Sequence, residues 1–302
     1  MATAGPPDLI AARQTVREAL ELATAALRDA GIEGGRADAE WLLADTLGTA
    51  RGPLGLQGQR TLEPADAERY ARALRRRIGR EPLQHIVGTQ AFRDIVVKVN
   101  GEVLVPRPET ELLAGWALEL LPRSPRAPLV LDVGTGSGCI ACALASERAD
   151  LRVIALDVSP AAVALAGANA AALGLANRVT VRVSDLFSAL DAERADLIVS
   201  NPPYLPTSVI PSLAPEVRCH DPRRALDGGP DGLAVIRRLI AAAPPWLVPG
   251  GWLLIETAGA EQARVAVALM REHGLTDVVT RPDLAGIERF VAGGAPACPP
   301  AS

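Results

Sequence analysis

The stretch Leu129-Val130-Leu131-Asp132-Val133-Gly134-Thr135-Gly136-Ser137-Gly138 decides the fold. Its first half is a short apolar run broken by one acid, the pattern of a buried strand. Its second half places glycine at every other position, so the backbone turns tightly and lets a ligand come close. A helical pattern follows. Outward from this unit strand and helix keep alternating, the signature of an α/β, doubly wound sheet. Further strands are expected at Arg152–Asp157, Val179–Ser184, Asp196–Ser200 and Gly251–Glu256. A last pair near Asp277–Thr280 and Glu288–Ala292 reads as an antiparallel edge, which makes the sheet seven-stranded.

In open α/β sheets ligands bind outside the carboxyl ends of the strands. Asp157 closes the second strand, where an acid accepts both ribose hydroxyl hydrogens. Asp185 closes the third, where a carboxylate binds the amino group of an adenine. Taken alone, the glycine loop reads equally well as a tight turn, and each aspartate as a helix cap. Three polar strand ends together favour a nucleoside site. The spacing is Gly-x-Gly-x-Gly, which counts against a dinucleotide, whose pyrophosphate needs an open helix N-terminus.

A second motif, Asn201-Pro202-Pro203-Tyr204, follows the apolar run Leu197-Ile198-Val199. Two prolines lack N–H donors and fix φ, so the strand stops there. The asparagine side chain offers one acceptor and two donors, and a free backbone carbonyl beside it offers another acceptor. Two acceptors side by side grip an –NH₂ group by both hydrogens, and a flat ring packs on a planar substrate. The corner suits chemistry on an amide or amino nitrogen.

At 302 residues the chain has room for one large and one smaller domain. Hydrophobic residues make up 49% and aromatics only 3%, so alanine, valine and leucine must fill most of the core. With 31 basic and 35 acidic residues the net charge is −4, which argues against a dedicated nucleic-acid binder. No apolar run is long enough to span a bilayer. Met1 to Pro7 lack the charged and apolar regions of a signal peptide. Four irregularly spaced cysteines point to a reducing cytoplasm.

The amino-terminal third reads as helices. Thr15 and Glu18 fit a capping box before Val16, Leu20, Ala23 and Leu27, a second helix spans about Ala37–Leu47, and a third runs from Pro64 to near Gly79. The cluster Arg72, Arg75, Arg76, Arg77 and Arg80 reads as a solvated face favoured by the helix dipole, or as a docking surface for an acidic or RNA-associated partner. Ile95, Val97 and Val99 alternate ahead of Asn100-Gly101, a hairpin signal that puts the turn at those two residues. The expected divisions are a helical domain over 1–85, a β-hairpin connector over 86–105, the large domain over 106–293 and a disordered tail over 294–302.

Cys139 and Cys142 read as small buried helix residues, since no second pair completes a zinc site. No metal is expected. His85 reads as structural. The long segment Leu205–Gly232, with Glu216, Arg218, Asp221 and Arg223, reads as a substrate-covering loop. Glu109 and Glu111 read as helix-capping acids, with a cofactor contact as the alternative, and Glu256 at a strand end is equally open.

On these motifs the chain resembles the HemK/PrmC family, the peptide chain release factor glutamine methyltransferases. The likeness also takes in Glu81-Pro82-Leu83-Gln84-His85-Ile86-Val87-Gly88, Pro106-Arg107-Pro108-Glu109-Thr110-Glu111 and Asp283-Leu284-Ala285-Gly286. It implies a Rossmann-like class I methyltransferase fold with a small amino-terminal helical bundle. It implies S-adenosyl-L-methionine as cofactor, S-adenosyl-L-homocysteine as product, and the glutamine of a release factor Gly-Gly-Gln motif as target. By position, Gly134, Thr135, Gly136, Ser137 and Gly138 would hold the cofactor, with Asp157 on the ribose, Asp185 and Leu186 along the adenine, and Asn201 also among the cofactor-binding residues. Family members often carry an aromatic where Leu186 stands, so here an aliphatic wall replaces a ring. Asn201, Pro202, Pro203 and Tyr204 would bind the glutamine, with Asn201, Pro202 and Tyr204 as the catalytic set. The helical domain would help hold the release factor. A cytoplasmic monomer with no membrane and no sequence-specific nucleic-acid partner is expected. Three readings stay beside it: a DNA or RNA amino-methyltransferase, a methyltransferase for a ribosomal-protein glutamine, and a non-catalytic binder of release factors or ribosomes.

Overall fold

The first helix, α1 (Val16–Asp29), begins where two side chains satisfy its free N–H groups. Thr15 Oγ1 accepts from Glu18 N at 3.3 Å and Glu18 Oε2 accepts from Thr15 N at 2.8 Å, a complete capping box. The computed structural model of the chain describes residues 10, 13–122 and 126–297. They divide into two compact units.

The helical unit takes in residues up to Gly88 and a separate segment, Ala214–His220. It holds α1, α2 (Gly35–Leu47), α3 (Pro64–Ile78) and the short α4 (Leu83–Val87). Its core is Val16, Leu20, Leu27, Leu42, Leu43 and Leu74, with buried Tyr70 donating to Ala39 O at 3.0 Å. The arginines near the end of α3 differ in kind. Arg72 and Arg76 make exposed pairs with Glu68 and Glu81. Arg77 is buried, which neither sequence reading anticipates: its Nε donates to Asp38 at 2.7 Å and its Nη1 reaches Glu216 at 3.1 Å. Arg80 meets the same Glu216 oxygen at 3.0 Å. A buried guanidinium needs such partners.

The second unit opens with a hairpin of β1 (Thr89–Phe92) and β2 (Ile95–Lys98). Its turn is Arg93-Asp94, with Arg93 at φ 51°, and not the expected Asn100-Gly101. Burial of Phe92, Ile95 and Val97 sets the register Phe92↔Ile95, and Asn100 Oδ1 accepts from Glu102 N at 3.0 Å in a local turn from which no strand returns.

Then follow α5 (Pro108–Leu120), β3 (Leu129–Val133), α6 (Cys139–Glu147), β4 (Arg152–Asp157), α7 (Pro160–Ala172), β5 (Val179–Val183) and β6 (Ala195–Ser200). The helix α8 (Pro215–His220) is the segment counted with the helical unit. The chain closes with α9 (Ala234–Ala242), β7 (Leu247–Glu256), α10 (Ala260–Glu272), β8 (Thr276–Pro282) and β9 (Glu288–Gly294).

The seven-stranded sheet has the order β5-β4-β3-β6-β7-β9-β8. The first five strands in that order are parallel, and β9 runs antiparallel to β7 and β8. Strand residues alternate between two cores. Val130, Val153, Leu197, Val199 and Leu254 pack with α5, α6 and α7 residues, whereas Leu131, Ile154, Ile198, Leu253 and Ile255 pack with α9 and α10. This is a doubly wound sheet. From β3 the chain runs outward to β5 and returns to place β6 on the other side of β3, so the strand order switches between β3 and β6.

Several boundaries differ from the sequence reading, and two of them show their cause in the strand pairing. β7 begins at Leu247, four residues before Gly251, with an irregularity opposite Ala195 and Leu197. β9 carries its pairing to Gly294 because Trp252 and Thr276 both flank that residue. The remainder of the expected tail, residues 298–302, and the segment Met1 to Pro7 lie outside the described residues.

Candidate active site

The switch between β3 and β6 brings the two sequence motifs to adjacent strand ends. After β3 the glycine loop is tied down by Asp132. Its Oδ2 accepts from Thr135 Oγ1 at 2.6 Å and from Ala141 N at 3.1 Å. Asp132 is fully buried, and that burial pushes its carboxyl up to about 7 against the pull of those hydrogen bonds. Gly138 shows why the loop needs glycine: at φ +78° a Cβ would stand 3.0 Å from Ala166 Cβ.

Asp157 ends β4, and its carboxylate accepts from Gly136 N and Ser159 N, both at 2.9 Å. Ser159 caps α7. A carboxylate has about four lone-pair directions, so two protein bonds leave acceptor capacity. Asp185 lies two residues past β5, half exposed, and pairs with Arg238 at 2.7 Å. Leu186 sits at φ 51° and its carbonyl accepts from Ser184 Oγ at 2.8 Å.

These residues share one cavity of about 330 Å³, in the size range of small-molecule sites. Gly134, Thr135, Gly136, Ser137, Asp157, Asp185, Leu186, Asn201, Pro202 and Pro203 all line it. Gly138 and Tyr204 do not. Gly138 faces α7 instead. Tyr204 is half-buried against the second core, and its hydroxyl donates to Glu256 Oε1 at 3.3 Å. Burial raises the tyrosine hydroxyl, and the neighbouring Glu256 charge adds to it.

Several lining residues carry no signal of their own in the sequence reading. Thr110 Oγ1 accepts from Asn201 Nδ2 at 2.9 Å and donates to Glu256 Oε2 at 2.9 Å. Thr110 lies inside the Pro106–Glu111 stretch, whose composition alone spoke only of a helix start. Pro222, Arg224 and Ala225 line the same cavity, so part of the Leu205–Gly232 segment forms its wall. That segment is well bonded: Thr207 Oγ1 donates to Asp227 at 2.6 Å, Leu205 N to Leu226 O at 3.0 Å, and Arg107 pairs with buried Asp221 at 3.0 Å. Glu109 and Glu111 occupy the first turn of α5. Cys139 and Cys142 are buried on α6, and burial pushes both thiols up to about 12.

The asparagine corner is braced from behind. Gln262 Nε2 donates to Tyr204 O at 2.8 Å. Gly232, at φ +74°, lies so close that a Cβ there would stand 2.2 Å from the same carbonyl and 2.5 Å from Gln262 Nε2. Gly232→Ala is therefore expected to lower unfolding stability by about 3 kcal/mol or more. Urea denaturation with an unchanged midpoint would refute this.

Comparison with known proteins agrees with the geometry. Residues 18–88 match the PrmC N-terminal domain and residues 112–214 match the methyltransferase small domain. The chain is 44% identical over 280 residues to the release factor glutamine methyltransferase of Cereibacter sphaeroides, covering 93% of this chain and 98% of that protein. It is 43% identical over 279 residues to the protein of the same name from Geobacter sulfurreducens, covering 92% and 96%. Among solved structures, the catalytic domain of hMettl16, determined with an RNA hairpin, superposes with a TM-score of 0.55 at 15% identity, over 68% of this chain and 77% of that one, a likeness of fold alone. With identity at this level along nearly the whole of both chains, this chain belongs to the release factor glutamine methyltransferase family.

Proposed function

We propose that this protein transfers a methyl group from S-adenosyl-L-methionine to the side-chain amide nitrogen of the glutamine in the Gly-Gly-Gln motif of a peptide chain release factor. The observation that carries the reading is the shared cavity, with the glycine loop at the end of β3 and Asn201-Pro202 at the end of β6. The cofactor fits the residues present. A Cβ at Gly134 or Gly136 would meet no atom within 4 Å, so the loop borders open space. Asp157 keeps acceptor capacity for ribose hydroxyls, and Leu186 offers an apolar wall beside Asp185.

When bound, S-adenosylmethionine supplies an electrophilic sulfonium methyl group. The harder task is the target, because an amide nitrogen has its lone pair delocalised into the carbonyl. Asn201 Oδ1 and the Pro202 carbonyl accept the two N–H hydrogens, hold the nitrogen and favour its pyramidal form, so that the lone pair faces the donor. Pro203 shapes the corner from within the cavity, and Tyr204 braces it from behind through its hydroxyl on Glu256. The gain is orientation and electrostatics. Asparagine has no useful basicity, and the surplus proton leaves to water after transfer. The helical unit would hold the release factor, and the enzyme would act as a cytoplasmic monomer. Among the described residues no helix is long and apolar enough to cross a membrane.

The test is mass spectrometry of a purified release factor incubated with the enzyme and labelled S-adenosylmethionine. One methyl group on the Gly-Gly-Gln glutamine is the expected result. Label on DNA, RNA or a ribosomal protein, with none on the release factor, would overturn the reading.

A further inference from the structure

An asparagine amide has two orientations related by a half turn, and its neighbours select between them. Only one of the two presents Oδ1 to a target –NH₂ group. Asn201 stands 2.9 Å from Thr110 Oγ1, and Thr110 Oγ1 stands 2.9 Å from Glu256 Oε2. A threonine hydroxyl carries a single proton. If that proton is committed to a carboxylate, the Thr110 oxygen is an acceptor only, and the edge of Asn201 that meets it must be the NH₂.

We propose that Thr110 and Glu256 are positioning residues that set the direction of the Asn201 amide: ionised Glu256 takes the Thr110 proton, Thr110 accepts from Nδ2, and Oδ1 is turned toward the target nitrogen. The proposal rests on the glutamine-methylating reading of the corner. Thr110 sits on α5 and Glu256 at the end of β7, so the half turn of the Asn201 amide is controlled from two elements that make no part of its own loop.

Protonation of Glu256 reverses the chain of donors. The acid then has a proton to give to Thr110 Oγ1, the threonine hydroxyl is released to donate toward Asn201, and the amide turns its NH₂ to the target. Burial pushes the Glu256 carboxyl up to about 7, opposed by the Thr110 bond and by Arg289 on β9. Tyr204, whose hydroxyl also donates to Glu256, works in the same direction as Arg289, and Glu109 on α5 raises it further. Methyl transfer should therefore fall as pH drops through about 7. Stability has the opposite sign. A carboxyl raised in the folded state contributes most below its unfolded value, and that contribution is lost as pH rises through the folded one. A merely structural Glu256 would move activity and stability together.

The experiment uses the full-length protein, Thr110→Val, Thr110→Ser and Glu256→Gln. The side-chain ¹⁵N–¹H₂ signal of Asn201, assigned by its loss in Asn201→Asp, is followed against pH by NMR. In the wild type it should titrate with a midpoint near 7, and in Thr110→Val and Glu256→Gln it should not. On a release factor substrate, Thr110→Val should lower kcat by about 10- to 100-fold, Thr110→Ser should restore most of it, and Glu256→Gln should flatten the acid limb. Circular dichroism spectra matching that of the wild type show that each variant has folded. An Asn201 signal that does not titrate, or a Thr110→Val enzyme with full kcat and the wild-type pH profile, overturns the inference. A titrating amide in a wild-type enzyme that leaves the release factor unmodified overturns the substrate reading instead.

Discussion

Replacing Asn201 with alanine is expected to lower kcat by about 10²- to 10³-fold, the loss seen when one preorganised polar group is removed from a reaction centre. Its Oδ1 would be one of two acceptors holding the target –NH₂, and the Pro202 carbonyl alone does not define a direction. Cofactor binding should move by no more than about threefold, because removing a group that acts mainly on the transition state leaves ground-state affinity nearly intact. Asn201→Ala also frees Thr110, whose hydroxyl still has Glu256 as partner at 2.9 Å, so no buried donor is left without an acceptor. The fold should therefore survive. Single-turnover assays with labelled cofactor, beside calorimetry with S-adenosylhomocysteine, separate the two quantities. A variant that binds normally and turns over at more than about a tenth of the wild-type rate would exclude the asparagine grip.

The second large effect is expected at Asp157. Asp157→Ala should weaken S-adenosylhomocysteine by about 100-fold or more, since hydrogen bonds to a charged acceptor contribute about 1.5–3 kcal/mol each and two ribose hydroxyls are in play. Part of the loss would come through the protein. The same carboxylate holds Gly136 N and Ser159 N, so the alanine also loosens the loop that faces the cofactor. Asp157→Asn separates the contributions: it keeps an acceptor and gives up the charge, and should fall between wild type and alanine. Titration calorimetry of both variants measures this, and an unchanged Kd in Asp157→Ala would remove Asp157 from the site.

What could be read in the sequence was whatever is locally encoded. Thr15 with Glu18, and Pro64 with Gly79, mark helix ends through bonds and dihedrals spanning a few residues, and the structure has those ends. The β3 strand and its glycine loop are legible for the same reason, and so is the antiparallel pairing of β8 with β9. Distant partners were not legible. Asn100-Gly101 has the chemistry of a hairpin turn, but the inward packing of Phe92 and Ile95 puts the turn at Arg93-Asp94. Arg77 looked like one of several surface cations, and its burial depends on Asp38 and Glu216, far away in sequence. Within the cavity the strand-end residues were found because the fold rule points at strand ends. Thr110 had no role of its own and Glu256 stayed open between two, because a relay of single hydrogen bonds between α5, the end of β6 and β7 leaves no periodic trace.

The position of β6 has a dynamic consequence. It lies between β3 and β7, and all six of its residues are buried. The Asn201 corner is thus the direct continuation of a strand that cannot detach without separating the sheet into two halves. In native-state hydrogen exchange, the amides of Val199 and Ser200 should belong to the slowest set and open only with global unfolding. Those near Pro222–Ala225, on a wall built of short turns, should exchange through much smaller local openings. One side of the cavity would then be as rigid as the protein itself, while the facing side opens locally.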